Sequence, residues 1–265
     1  MPLVPIVILG AGYTGRSIYA RAKERELPVF ATSRSPAAHL SDVSPQQRIE
    51  FDLHRPETWD NIPQGSHVIW CFPAVPEEAV RAFAGRVLPQ AGRVVVLGST
   101  SAYEVGPGQS PAASVIDESA PIDHGRPRVR GEEYLRLHHH AVVLRVAGIY
   151  GPGRNVLDWI RRGKVGISRR YVNLIHVEDL AEICLLALER GRPGDVYNVS
   201  DGRPRTWSEI CELARRYWGI EPLQAADESR LGKRISNAKL TSALGYTLCF
   251  PDLLAALSLI ESPPF

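Results

Sequence analysis

Three glycines near the N-terminus have a spacing that suits phosphate binding. Gly10, Gly12 and Gly15 form the sequence GAGYTG, which directly follows an apolar run and directly precedes an amphipathic one. In a strand–turn–helix unit, the first glycine makes the tight turn, the second lets the backbone approach a pyrophosphate, and the third lets helix and strand pack closely. The helix N-terminus, here Tyr13 and Thr14, then faces the phosphates. The motif predicts a dinucleotide-binding turn, and the alternative is a purely structural glycine turn.

The residues that end the second predicted strand indicate which dinucleotide fits. Proteins that bind NAD place Asp or Glu there, about twenty residues after the glycines, to hold the ribose 2′-hydroxyl. Here the sequence ATSRSP places Thr32, Ser33 and Arg34 in that region, with no carboxylate. A guanidinium beside a hydroxyl suits a 2′-phosphate, because arginine offers charge-assisted, bidentate donors. The sequence therefore predicts NADP(H) rather than NAD(H), and an ordinary exposed arginine is the alternative.

Further candidates for the cofactor site stand at the ends of the next two predicted strands. Asp52 could accept a hydrogen bond from the adenine amino group, although an Asp that caps a helix would look the same. Phe72 ends the fourth predicted strand, and Pro73 follows it directly. Ligands of open α/β sheets bind outside the carboxyl ends of the strands, so we expect all three residues beside the cofactor.

Strand and helix patterns alternate through the first two thirds of the chain and would position these residues. Most of the predicted strands are continuously apolar, as expected when helices cover both faces of a parallel sheet. We predict an α/β protein with a Rossmann-type doubly wound parallel sheet and a small C-terminal α/β lobe. The dinucleotide-binding domain is expected at residues 1–150 and 173–200, and the substrate-side lobe at 151–172 and 201–265. The predicted strands are 5–9, 29–33, 48–51, 67–72, 93–97 and 141–146, and the helices between them are 14–26, 76–88 and 129–138.

Composition excludes several classes of protein. Of 265 residues, 44% are hydrophobic and 23% charged, and the formal net charge of +2 is too small to suggest a nucleic-acid partner. There is no run of some eighteen apolar residues and no signal-peptide pattern, so neither a membrane partner nor secretion is expected. The four scattered cysteines lack CxxC spacing, which favours free thiols and the cytoplasm. The three histidines at 138–140 have no nearby ligands at fixed spacing, so no metal is predicted.

Four landmarks in order resemble the extended short-chain dehydrogenase/reductases, also called the NAD-dependent epimerase/dehydratase family. They are IDESAP at 116–121, LRVAGIYGPG at 144–153, NLIHVEDLA at 173–181 and DVYNVSDG at 195–202. The resemblance extends over almost the whole chain. The segments GSTSAY and VNLIHVEDL are similar to those of the small YeeZ-type branch of the family. The resemblance implies a Rossmann fold and hydride transfer between nicotinamide and a carbonyl or alcohol carbon of a small-molecule substrate. A homodimer is left open.

The same resemblance implies a reaction centre, from which this chain departs. In the family a Ser or Thr four residues before a Tyr polarises the substrate oxygen, and Ser99 holds that position relative to Tyr103. A YxxxK pair on the next helix supplies the acid/base, but here HGRPR places His124 and Arg128 at those two positions. Pro127 between them argues for a bent or delayed helix start. Arg128 can still bond the ribose hydroxyls but is not a tunable proton donor.

The departure leaves three functions open. His124 could exchange a proton near neutral pH, which would make the protein an NADP(H)-dependent oxidoreductase with an atypical centre, or it could simply be exposed. The loss of YxxxK also permits a non-catalytic sensor or regulatory protein that binds NADP(H). A nucleotide-sugar epimerase comes third, because Gly148 stands where the family's epimerases often carry Asn.

Overall fold

The computed structural model describes residues 3–103, 115–224 and 231–262. The strands are β1 (Ile6–Leu9), β2 (Val29–Ser33), β3 (Arg48–Glu50), β4 (His67–Trp70), β5 (Val94–Ser99), β6 (Val115–Ile116), β7 (Val142–Val146), β8 (Gly148–Tyr150), β9 (Tyr171–Val172), β10 (Leu174–His176), β11 (Val196–Val199), β12 (Arg205–Thr206) and β13 (Arg234–Ile235). The α-helices are α1 (Tyr13–Glu24), α2 (Pro36–His39), α3 (Glu77–Val87), α4 (Pro127–His139), α5 (Val156–Arg161), α6 (Val177–Arg190), α7 (Trp207–Trp218), α8 (Ala238–Leu244) and α9 (Leu253–Glu261).

The central sheet has seven strands in the order β11-β7-β5-β4-β1-β2-β3. The pairings of β1 with β2, β1 with β4, β2 with β3 and β4 with β5 are all parallel. All residues of β1 and β7 are buried, because helices cover both faces of the sheet. The predicted Rossmann-type α/β fold is confirmed. Strand order changes direction beside β1, and a crevice for ligands opens at the carboxyl ends of the strands at such a point.

The first of two compact units comprises Met1–Tyr103, Pro121–Arg145 and Leu180–Tyr197. Its core includes an aromatic group in which the Phe83 ring lies edge-on to three others. The ring centroids are 5.3 Å from Phe51, 5.4 Å from Trp59 and 5.5 Å from Trp70. Edge-to-face packing of this kind adds stabilisation beyond the buried area. This packing fixes α3 against the sheet next to β4. Phe72 follows β4 two residues after its last residue, Trp70.

The helix α4 begins later than the family's pattern would place it. Its first residue is Pro127, and Arg126 is the N-cap. Proline is favoured at the first helical position, since its missing N–H would have no partner there. His124 therefore precedes the helix, whereas Arg128 lies in its first turn. The delayed start expected from Pro127 is what the structure has.

The second unit comprises Glu104–Ala120, Val146–Asp179 and Asn198–Phe265. Its short strands pair two by two, β8 with β10, β9 with β12 and β6 with β13. A capping box opens α7, since Thr206 and Glu209 bond each other's backbone amides. Asp179, fully buried, accepts hydrogen bonds from the Tyr246 hydroxyl at 2.6 Å and from the amides of Cys249 and Phe250 at 2.7 and 3.0 Å. Asp179 thus has a structural role.

In residues 3–103, 115–224 and 231–262, no helix combines the length and apolar character needed to cross a bilayer. The same ranges contain no group of three or more His, Cys, Asp or Glu side chains placed to hold a metal ion.

Candidate functional site

The glycine turn connects β1 to α1 through close contacts that require glycine. Gly10 has φ +82°, and a Cβ built there would lie 2.8 Å from Cδ1 of Phe72. A Cβ on Gly15 would lie 2.7 Å from the Gly10 carbonyl oxygen. By contrast, a Cβ on Gly12 would meet nothing within 4 Å. Two of the glycines therefore serve packing, and the third leaves space beside the backbone.

That space suits a pyrophosphate. No side chain caps α1 at Gly12, and the first turn of the helix carries no acidic residue. The positive end of the helix dipole therefore favours an external anion at this end of α1. Together with the open side of Gly12, these features fit the pyrophosphate of a dinucleotide.

A groove of about 930 Å³ runs over the carboxyl ends of the strands from this turn. It is large enough for a cofactor-sized ligand. Most of the residues predicted for the cofactor site line it, namely Gly10, Gly12, Tyr13, Ser33, Arg34, Asp52 and Phe72. Thr14 and Gly15 instead lie buried in the first turn of α1, and Pro73 is exposed and does not line the groove.

The far end of the groove is polar and basic. Arg34 is exposed, and among the residues that the structure describes no carboxylate pairs with its guanidinium. Ser33 Oγ lies 2.9 Å from His39 Nδ1. Arg16, on α1, forms an ion pair with Asp42 at 2.5 Å and donates to the backbone carbonyl of His39. Arg16 and His39 were not predicted as site residues, because they reach the groove only once α1 and α2 have come together in the fold.

Asp52 also faces the groove from the loop after β3. Its Oδ1 accepts a hydrogen bond from the backbone amide of His54 at 2.9 Å. This bond holds the loop. A carboxylate has further lone pairs, so Asp52 can also accept a hydrogen bond from a ligand.

A second, smaller cavity of about 250 Å³ lies at the end of β5. Ser99, Arg128 and Glu132 line it, together with Ser101, Ala102, Arg126, Pro127 and Val129. Ser99 Oγ accepts a hydrogen bond from the Ser101 amide at 3.2 Å, so its own O–H hydrogen is directed elsewhere. The structure therefore brings together two of the three residues predicted for the reaction centre.

The third, His124, lies outside this cavity. Its side chain is exposed in the turn before α4, and its backbone carbonyl accepts a hydrogen bond from Arg130 at 3.2 Å. A proton-transfer role for His124 stays a prediction. It would require this turn to approach a bound substrate.

Arg128 is anchored at the cavity by β5 and by its own helix. Its Nη2 donates to the Leu97 carbonyl at 2.9 Å, and its Nε donates to Glu132 Oε1 at 2.6 Å. Glu132 is only 2% exposed. Burial raises the pKa of its carboxyl to about 7, although the charge of Arg128 opposes the shift. Glu132 was not predicted as a site residue. Its position four residues after Arg128, on the same face of the helix, was the signal that could have indicated it.

The chain is similar in sequence to the protein YeeZ. YeeZ from Escherichia coli strain K12 is 28% identical over 185 residues, which cover 68% of this chain and 65% of YeeZ. The match thus spans slightly less than two thirds of the relative's length. No family model matches the chain.

Solved structures of the same fold align with nearly the whole chain. A protein from Methylobacillus flagellatus, described as an NAD-dependent epimerase/dehydratase, is 24% identical with a TM-score of 0.77, covering 98% of both chains. The enzyme WbmG from Bordetella bronchiseptica, solved with NAD, is 17% identical with a TM-score of 0.75, covering 98% of this chain and 94% of WbmG. The chain therefore has the fold of the NAD-dependent epimerase/dehydratase family of short-chain dehydrogenase/reductases, and its sequence resembles that of YeeZ.

Proposed function

We propose that this protein binds NADP(H) and acts as an oxidoreductase on a carbonyl or alcohol carbon of a small molecule. The observation that carries the proposal is the arrangement of two spaces at one edge of one sheet. The groove begins at Gly12 and ends at Arg34, and the cavity with Ser99 lies at the end of β5. A dinucleotide in the first space would bring a reactive ring toward a substrate in the second.

The preference for NADP(H) rests on charge at the ribose end of the groove. A 2′-phosphate there would meet the Arg34 guanidinium and the Ser33 hydroxyl, whereas the ribose 2′-hydroxyl of NAD would find no carboxylate at the end of β2. Arg16 and His39 add donors nearby. WbmG, which shares the fold, was solved with NAD. The preference proposed here for NADP(H) therefore rests on Ser33 and Arg34 of this chain and not on the fold.

Each residue of the reaction centre has a task in this scheme. The nicotinamide supplies a hydride donor or acceptor when it is bound. Ser99 would donate its free hydrogen to the substrate oxygen and polarise the carbonyl. Arg128, held by Leu97 and Glu132, would keep the ribose side of the centre positively charged.

The proposal is tested first by binding and then by turnover. Calorimetric titration with NADPH and NADH should show tighter binding of NADPH to wild type and no binding to Gly12→Val. A panel of aldehydes and ketones should then reveal loss of NADPH absorbance. If neither cofactor binds, the proposal is wrong; if NADH binds as tightly, the assignment of NADP(H) is wrong.

A regulatory NADP(H)-binding protein is the second candidate, and one observation favours it. The helix α4 starts after His124, so the tyrosine and lysine of the family have no acid/base counterpart at their own positions. A sensor would bind NADPH but would not oxidise it, whichever carbonyl compound is added. Tight binding without turnover across the panel would therefore favour this candidate.

A further inference from the structure

One buried carboxyl holds Arg128 in the scheme above but has no part there in proton transfer. Glu132 lies in α4 one turn after Arg128, and its side chain is 3% exposed. A carboxyl is seldom buried this deeply unless it is paired, and among the described residues the hydrogen bond to the Glu132 carboxyl, from Arg128, is made to Oε1. Its second oxygen, Oε2, is directed to the end of β5.

The backbone of β5 is shaped around that oxygen. A Cβ built on Gly98 would lie 2.6 Å from Glu132 Oε2, so any larger residue at position 98 would displace the carboxyl. Gly98 immediately precedes Ser99, and Ser99 and Glu132 line the same cavity. The carboxyl and the hydroxyl that would bind the substrate oxygen therefore face one cavity. No hydrogen bond joins them in the described part of the chain, so a proton would pass between them through water in that cavity.

Charges around Glu132 do not hold it in one protonation state. Arg128 on the same helix and Arg145 on β7 favour the carboxylate, whereas Glu133 and burial favour the neutral acid. The resulting pKa of about 7 leaves both forms populated at neutral pH. A group with that property is suited to general acid/base work.

We propose that Glu132 is the proton-transferring residue of this reaction centre, acting through Ser99. The inference rests on the proposed oxidoreductase function. In the reduction, the substrate oxygen takes the Ser99 hydroxyl proton as the carbonyl carbon takes the hydride that the cofactor supplies. The C=O π bond breaks, and a C–H and an O–H bond form. Ser99 regains a proton from the Glu132 carboxyl, and the carboxylate, paired with Arg128, is reprotonated from water.

Glu133 provides a matched control because it is an equally buried acid on the same helix. It is 7% exposed and bonds Arg136 at 2.6 Å and Arg145 at 3.3 Å, and it does not line the cavity. Glu133→Gln should therefore reproduce the loss of a buried charge without touching the proposed proton path.

Two measurements test the inference. The first uses the protein without cofactor: carbon NMR of labelled glutamate should show one carboxyl titrating between about pH 6 and pH 8 in wild type and Glu133→Gln, and not in Glu132→Gln. The second follows NADPH oxidation. Glu132→Gln should lose about 10²-fold or more in kcat and the pH dependence near neutrality, with NADPH affinity within about threefold of wild type.

The outcomes separate the inference from the function on which it rests. Turnover by wild type with an unchanged rate and pH profile in Glu132→Gln would overturn the role of Glu132 and leave the oxidoreductase standing. A carboxyl that stays ionised throughout the titration would also overturn it. Absence of turnover by wild type would refute the oxidoreductase function, and the role of Glu132 with it.

Discussion

The hydroxyl of Thr32 accepts a hydrogen bond from the backbone amide of Gly10 at 2.9 Å. Thr32 is the last residue but one of β2 and is fully buried, whereas Gly10 opens the turn after β1. The bond ties together the two segments that line the groove, the phosphate turn and the ribose end. The Thr32 carbonyl accepts the amide of Ala11 at 3.0 Å and adds a second tie.

Thr32→Val should therefore weaken both fold and binding. Valine has the shape of threonine but cannot accept the Gly10 amide, and a buried unpaired N–H costs about 1–3 kcal/mol. We expect a loss of that size in urea unfolding and weaker NADPH binding. Thr241→Val, at an exposed position on α8, should change stability by less than about 0.5 kcal/mol. Equal stability of Thr32→Val and wild type would contradict the proposed tie.

Arg34→Ala should reduce affinity for NADPH and leave affinity for NADH unchanged. A charge-assisted contact to the 2′-phosphate is worth about 1.5–3 kcal/mol, or roughly 10- to 150-fold in dissociation constant. Calorimetry with both cofactors measures the difference. Arg216→Ala, an exposed arginine of α7, serves as the control and should alter neither affinity. A parallel loss for both cofactors would mean that Arg34 does not read the 2′-phosphate.

Gly12→Val and Gly15→Ala should fail in different ways. A Cβ at position 12 would meet nothing within 4 Å, so the variant should fold normally yet lose dinucleotide binding. A Cβ at position 15 clashes with the Gly10 carbonyl, so this variant should be destabilised by about 1–3 kcal/mol. Thermal unfolding and NADPH titration separate the two. Retained binding by a folded Gly12→Val would place the dinucleotide elsewhere.

Stability should depend on pH through Glu132. Its pKa is raised from 4.5 to about 7 in the folded protein, so the folded state binds more protons than the unfolded state between these values. The free energy of unfolding therefore falls as pH rises from about 4.5 to about 7, by about 3 kcal/mol in total. Glu132→Gln should lack this fall, and Glu133→Gln should keep it. Urea unfolding at several pH values measures the difference; identical curves for the two variants would disprove it.

The local features of the fold could be predicted from the sequence because each depends on neighbours in the chain. Apolar runs predicted the strands of the central sheet, and GAGYTG predicted the turn before α1. Turn geometry and strand burial are each determined within a few residues. The groove lined by Gly12 and Arg34 follows from the same rules, since parallel strands end at one edge of the sheet.

Only the tertiary structure decided how the reaction centre is assembled. The sequence places His124 and Arg128 in one motif, but α4 begins between them, which exposes His124 and anchors Arg128 on Leu97. Glu132 was not predicted as a site residue, yet it packs against Gly98 and lines the same cavity as Ser99. The pKa of a carboxyl depends on burial and on charges that lie far away in sequence, as Arg145 does here. Such contacts exist only after the helix has docked on the sheet, so the chain pattern alone could not reveal them.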